Sequence, residues 1–387
     1  MVPSICFLAH NALGALCGPN KNHIGGIERQ QVTMAEWLAA NGWEVSIVTW
    51  NDEDTPAKAK GVRIVYLCGK EDGLPGMRFF LPRWTSLVSA LERANADIYY
   101  YNCGDMALGQ LAMWARRRGV PYVFSVASDA DCDRKLPALK SVRDRVLYRH
   151  GLRHCSHVIV QSNVQRKLLE SEFGKDSVVL SMPCKGFPEL LEEQSTLKSD
   201  PKLHIIWIGR ISPEKRVEWM LDVAEKCTRT RFTIIGAPNQ ASAYARQAVE
   251  RAAGMPNVSL AGRVCYDEMA AYYHSADYLC CTSVFEGFPN IYLEAWSVGV
   301  PVITTIDPDG VIQRNNIGFH CQSVERIIEI INKLGADDDT RMTMSAAARQ
   351  YFLDHHDINS AMCTFDNYFR QVLNTHRMKN QAHERAI

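Results

Sequence analysis

Strand-length apolar runs recur along the chain, separated by stretches with helical periodicity. In the first half the runs cover residues 5–9, 45–49, 62–67, 98–101, 122–126 and 158–161, with helical patterns at 26–40, 85–94, 106–118 and 142–154. Alternation of this kind predicts a mostly parallel sheet wrapped by helices. The stretch from Glu189 to Lys202 is polar and reads as a linker. The pattern then restarts with strands at 204–208, 231–235, 258–261 and 278–282, and helices at 216–226, 241–252 and 266–275. The expectation is an α/β chain of two Rossmann-like domains around a cleft. These are an N-terminal domain over 1–188, a linker over 189–202, a C-terminal domain over 203–356, and a closing helix and tail over 357–387. Ligands of such sheets bind at the carboxyl ends of the strands. The loops after Ile208, Ile235, Leu260 and Thr282 should therefore share one rim.

Composition narrows the class. A chain of 387 residues with 47% hydrophobic content is large enough for two cores. Basic and acidic residues number 43 each, which argues against nucleic-acid binding by bulk charge. No segment approaches the ~18 apolar residues of a spanning helix, and the first apolar run reads as a strand, not a signal peptide. The 13 cysteines lack C-x-x-C pairs, which fits a reducing cytosol and no zinc site.

The most informative segment is Glu286-Gly-Phe-Pro-Asn-Ile-Tyr-Leu-Glu294, between a strand and a helix. Asn290 is the expected N-cap, and Glu294 is expected in the first helical turn. A helix N-terminus after a Gly-containing loop favours phosphate. Ionised carboxylates accept from pairs of hydroxyls. Glu286 and Glu294 around a phosphate site thus describe a nucleotide sugar. An acid placed only to complement the helix dipole is the alternative for Glu294.

A second segment, Gly209-Arg210-Ile-Ser-Pro-Glu-Lys215, follows a predicted strand. Arg210 suits bidentate contact to phosphate oxygens, and Lys215 adds a compact charge. Cations at a helix start misfit the dipole, which favours a ligand role over a structural one. Gly25-Gly26-Ile-Glu28 opens the first helix, and paired glycines let a backbone approach a ligand closely.

These segments resemble the E-x7-E, Gly-Arg…Pro-Glu-Lys and Gly-Gly-x-Glu motifs of the GT4-type retaining glycosyltransferases, which have the GT-B fold. The resemblance spans most of the chain and is strongest from about Leu203 to Gly318. It implies that Glu286 contacts donor-sugar hydroxyls and Glu294 the ribose, with Gly287, Phe288, Pro289 and Asn290 lining the donor between them. It implies that Arg210 and Lys215 hold the diphosphate beside Gly209, that Gly25 and Gly26 face the donor, and that the loop holding Val264 flanks the base. The last helix should return to the first domain. The implied donor is an α-linked nucleotide-diphosphate sugar. The implied product is an α-glycoside of a sugar, lipid-linked sugar or small-molecule hydroxyl acceptor. No metal and no cofactor are expected, and front-face displacement is the implied mechanism.

The chain departs from the family at Ala127, where many members carry a sugar-contacting His. Asp129 is the candidate replacement, Asp131 should matter less if it faces solvent, and a solvated loop is the alternative for the whole Asp cluster. Asp129-Ala-Asp131 also forms a D-x-D, but a metal is discounted because Arg210 and Lys215 already supply positive charge. The histidines of the first half, His10 and His23 among them, show no metal-ligand spacing and receive no role. From Lys135 to Arg153 a basic amphipathic pattern suggests peripheral contact with an anionic membrane at its cytoplasmic face; a solvated helix packed by its apolar side is the alternative. Two rival functions remain open: a nucleotide-sugar 2-epimerase using Asp129, Asp131 and Glu286, and a catalytically silent nucleotide-sugar binder.

Overall fold

The computed structural model describes residues 2–18, 25–51, 56–188, 202–237, 242–334 and 338–385. The chain divides into two compact units, Met1–Pro183 with Asn359–Ile387, and Cys184–Ile358. Each is a doubly wound α/β domain.

The first unit holds β1 (Ser4–Leu8), β2 (Glu44–Asn51), β3 (Lys58–Ala59), β4 (Val62–Gly69), β5 (Ile98–Tyr101), β6 (Tyr122–Ser125), β7 (His157–Val160) and β8 (Val178–Val179). Their order is β3-β4-β2-β1-β5-β6-β7-β8, all parallel except the short β3, which pairs antiparallel with β4. The second unit holds β9 (His204–Ile208), β10 (Arg231–Ile235), β11 (Val258–Gly262), β12 (Tyr278–Cys281), β13 (Val302–Thr304) and β14 (Gly318–His320) in the order β11-β10-β9-β12-β13-β14. The order reverses between β1 and β5 in one sheet and between β9 and β12 in the other. A reversal opens a crevice at the strands' carboxyl ends, because the crossovers leave on opposite faces.

The central strands are largely apolar because both faces are covered. In β5 all four residues, Ile98 and Tyr99–Tyr101, are buried. The ring of Tyr99 packs on Trp114, and Tyr100 packs on Phe369 of the last helix. Helices stop where the chain turns left-handed: Gly119 and Gly174, at φ 65° and 58°, close Ala107–Arg118 and Asn163–Phe173.

The last helix, Ile358–Arg385, belongs to the first unit from Asn359 onward. Phe365, Phe369, Val372 and Leu373 are buried, each contributing about 1.5–3 kcal/mol. The indole of Trp43 donates to Asp366 at 2.7 Å and that of Trp37 to Asn359 at 2.9 Å. The predicted linker lies, apart from Lys202, outside the described residues. The segment just before it packs with the second unit, where Phe187 N–H donates to Ser297 Oγ at 3.1 Å and the Phe187 ring meets Tyr273. No disulfide joins cysteines among the described residues.

Candidate functional site

In the second unit the loops after β9 and β12 leave the sheet side by side at the strand-order reversal, and a polar lattice ties them together. Thr282 Oγ1 accepts from the Trp207 indole at 2.9 Å and donates to the Lys215 carbonyl at 2.7 Å. Arg216, left-handed at φ 47°, donates through its guanidinium to the Thr282 and Ser283 carbonyls at 2.6 and 3.1 Å and stacks on Trp219. Val284 N–H donates to the Glu214 carbonyl at 2.8 Å. This lattice brings the Lys215 ammonium onto the Glu286 carboxylate as an ion pair, the two side chains 22% and 17% exposed. Arg210 stands outward beside them, 69% exposed and 3.4 Å from Glu214. Thus two ion pairs stand on these loops, Arg210 with Glu214 and Lys215 with Glu286, the second joining residues 71 apart in sequence.

Gly209 and Gly236 pass backbone to backbone behind this site. A Cβ on Gly236 would lie 1.9 Å from the Gly209 carbonyl oxygen, so no other residue fits position 236 without moving the Gly209 loop.

Glu294 differs from the expectation. The helix Asn290–Trp296 takes Pro289 as its cap and Asn290 as its first residue. Asn290 is therefore not the N-cap, because the extended Pro289 already ends the loop. Glu294 falls in the second turn, so dipole complementation does not explain it. It is buried and accepts from the Tyr273 hydroxyl at 2.6 Å. Phe288 turns inward onto Trp296 and His356, so its side chain serves the core and leaves backbone for a ligand. Gly287 and Pro289 are buried with it, and Val264 is half-buried in the loop after β11.

In the first unit, Gly25 caps the helix Gly26–Ala40 in an extended conformation. A Cβ there would meet Glu28 Oε2 at 2.1 Å, so the Gly-Gly-x-Glu pattern lets Glu28 fold back over the helix start. His23 lies outside the described residues. Asp129 and Asp131 occupy a short 3-10 turn capped by Ser128. The half-buried Asp129 accepts from the Gln165 amide at 3.0 Å. Asp131 does not face solvent. Its carboxylate turns inward, accepting from the Ser128 and Ala127 N–H groups at 3.0 and 3.3 Å, and lies where a Cβ on Gly104 would be. Burial raises its pKa to about 6, against the hydrogen bonds that lower it. The D-x-D pair thus diverges, and no group of three metal-ligating side chains occurs among the described residues.

Sequence reasoning missed a cavity of about 240 Å³ at the strand-order reversal of the first unit. His10 follows β1 and Asp105 follows β5, and both line it with Glu28, Trp50, Asn102 and Arg83. The His10 and Trp50 rings lie 5.0 Å apart. Burial lowers the His10 pKa, opposed by the Asp105 and Glu28 carboxylates. The strand-end rule that located the second-unit loops would have found His10 too, had it been applied to β1.

Comparison with known proteins agrees with this geometry. The model described as "Glycosyl transferase 4-like domain" matches residues 25–183, and that described as "Glycosyl transferases group 1" matches 202–337. The chain is 24% identical over 356 residues to the sulfoquinovosyl transferase SQD2 of Arabidopsis thaliana, covering 85% of this chain and 67% of that one. It is 25% identical over 323 residues to a D-inositol 3-phosphate glycosyltransferase of Mycobacteroides abscessus, covering 74% and 71%. Among solved structures, Anabaena HepE in complex with UDP and glucose superposes with a TM-score of 0.76 at 16% identity, over 95% of this chain and all of that one. The sucrose-phosphate synthase of Thermosynechococcus elongatus gives 0.77 at 15%, over 96% and 100%. Two parallel-sheet domains and both family matches lead to one conclusion: the chain belongs to the GT4-type glycosyltransferases of the GT-B fold.

Proposed function

We propose that the chain is a retaining, metal-independent hexosyltransferase that moves a sugar from a nucleoside diphosphate to a hydroxyl acceptor and forms an α-linkage. The observation that carries this reading is the Lys215–Glu286 pair with Arg210 beside it. Breaking the glycosidic bond places negative charge on the diphosphate. Lys215 and Arg210 stabilise that charge where it develops, without reorganising. Glu286, partnered by Lys215, accepts from sugar hydroxyls, and Glu294 from the ribose. Gly25, Gly26, Gly209 and the backbone of 287–290 contribute close approach. Asp129, restrained by Gln165, orients the sugar or the acceptor hydroxyl in place of the His replaced by Ala127.

The acceptor enters the first-unit cavity. Trp50 offers an apolar face to a sugar ring, while Asp105, Glu28 and Asn102 offer acceptors to its hydroxyls. Protein groups supply position and charge, and the leaving phosphate oxygen takes the acceptor proton.

The test is nucleoside diphosphate release from a panel of nucleotide sugars in chelator, UDP-sugars first, preceded by thermal-shift screening. Ligand at 100 times its Kd stabilises by about 2.7 kcal/mol. Release that depends on an acceptor supports the reading. Binding without release, or release only with added Mn²⁺ or Mg²⁺, overturns it.

A further inference from the structure

Charge is distributed unevenly along the first-unit cavity. Four adjacent parallel strands, in the order β4-β2-β1-β5, end at it. Lys70 follows β4, Trp50 lies at the end of β2, His10 follows β1 and Asp105 follows β5, and all four line the wall. At ~4.8 Å between neighbouring strands, the wall runs roughly 14 Å from the end of β4 to the end of β5. Arg83 belongs to the Lys70 side. Its Nη2 donates to the Lys70 carbonyl at 2.7 Å, and its guanidinium lies 5.7 Å from the centre of the Trp50 ring. Glu28 belongs to the other side, on the helix that follows β1. Cations thus gather over β4 and β2, and carboxylates over β1 and β5. The field at His10, between them, agrees. After burial, which lowers its pKa most, Asp105 and then Glu28 act on it more strongly than Arg83 does.

The two sides differ in how they are satisfied. Asp105 accepts from the Tyr101 hydroxyl and the Ala107 N–H, and Glu28 from the Asn11 amide. Among the described residues neither Lys70 nor Arg83 forms an ion pair, and the acids next to Lys70 are engaged elsewhere: Glu71 pairs with Arg78 at 2.8 Å, and Asp72 accepts from the Gly69 N–H at 2.7 Å. The Arg83 Nε is buried and has no hydrogen-bond partner among the described residues. A buried donor without an acceptor is costly, and an incoming anion relieves that cost. A guanidinium offers two parallel donors to oxygens of one anion, and the Lys70 ammonium adds a second positive charge. A phosphate monoester, with a charge of about −1.5 to −2 at pH 7, matches both cations; a carboxylate neutralises only one.

We infer that this cavity takes a phosphorylated sugar or polyol, its phosphate held by Lys70 and Arg83 and its hydroxyls by Asp105 and Glu28. The further step, that this compound is the acceptor, rests on the transferase reading. The binding itself does not.

Calorimetry of the full chain tests it with hexoses, hexitols and inositols, each with and without a phosphate monoester. A short-chain phosphatidylinositol, a phosphodiester, stands for a lipid source of the same chemistry. Lys215→Ala runs in parallel, to separate any phosphate held by the donor loops. At least one monoester should bind on the order of 10–100-fold more tightly than its neutral counterpart, in the parent and in Lys215→Ala alike. Lys70→Met with Arg83→Gln should erase that preference and leave the affinity for the neutral compound unchanged. Lys70→Met alone, at an exposed position, should remove part of it and reports even if the double variant unfolds. No preference in any pair, no binding at all, or a preference that survives both substitutions overturns the proposal. Tighter binding of the phosphodiester than of every monoester overturns it in favour of a lipid headgroup. Failure of the transferase reading would show separately, as phosphate-dependent binding without nucleoside diphosphate release. Release with neutral acceptors, unchanged by both substitutions and not improved by any monoester, would sink this inference and leave that reading standing.

Discussion

Lys215→Ala should damage the enzyme in two separable ways. Its ammonium is paired with Glu286, and both side chains are about four-fifths buried. On the proposed mechanism, removing it deletes a charge that stabilises the leaving diphosphate, a loss on the order of 10²–10³ in kcat. It also leaves the Glu286 carboxylate partly buried without its counter-charge, facing the incoming anion, which raises the donor KM. The pair's contribution to folding is smaller, about 1 kcal/mol for a partly exposed ion pair, so the melting temperature should fall by about 2–4 °C. The double variant Lys215→Ala, Glu286→Gln separates the effects. It should recover part of the donor KM, because the unpaired charge is gone, but not kcat, because the leaving group still lacks its cation. Steady-state kinetics of nucleoside diphosphate release, with melting curves for each variant, reads all three quantities. A Lys215→Ala enzyme within threefold of the parent in kcat, or a double variant that regains kcat, would refute the leaving-group role.

Further expectations follow from the same geometry. Glu294→Ala removes the buried partner of the Tyr273 hydroxyl and should cost about 1.5–3 kcal/mol in denaturant unfolding as well as raising the donor KM; Tyr273→Phe should lose stability with a smaller change in KM. Gly236→Ala drives a methyl into the Gly209 carbonyl and should destabilise by about 1–3 kcal/mol, with donor binding lost in calorimetry. Asp129→Ala should lower the transfer rate while nucleotide binding persists, and Gln165→Ala should reproduce part of that loss if the Gln165 contact positions the carboxylate. Asp131 titrates at about 6 in the folded chain and near 3.8 when unfolded, so the folded state binds the extra proton. Its contribution to stability is then fully present below about pH 4 and lost as pH rises through 6, by on the order of 3 kcal/mol. The melting temperature of Asp131→Asn should lack this fall, and parallel pH profiles for parent and variant would contradict the burial argument.

Local pattern carried most of the architecture. The strands Ile98–Tyr101 and His204–Ile208 and the helices Gly26–Ala40 and Thr85–Ala94 lie where the apolar periodicity put them, because burial on one face or two leaves a local trace. The helix Leu13–Cys17, the edge strands β3 and β8, and the helix Asn163–Phe173 left little trace. The first three are short, and the last buries only Gln165 and Leu169.

The meeting of Lys215 and Glu286 was legible because each lies where a motif coincides with a loop at a strand end. The site was not legible where a distant element decides. Asp129 and Asp131 are equivalent in sequence; Gly104, contributed by the loop after β5, leaves the space that turns Asp131 inward. The role of Arg216 in joining two loops depends on Thr282 and Ser283, 66 and 67 residues away.

The central claim is transfer with retention and without metal. It is tested most directly by the anomeric configuration of the product formed in chelator from an α-linked nucleotide sugar, read by NMR during the first turnovers. The account predicts an α-glycoside, with one nucleoside diphosphate released per bond formed. A β-glycoside, or transfer that appears only when a divalent cation is added, would contradict it.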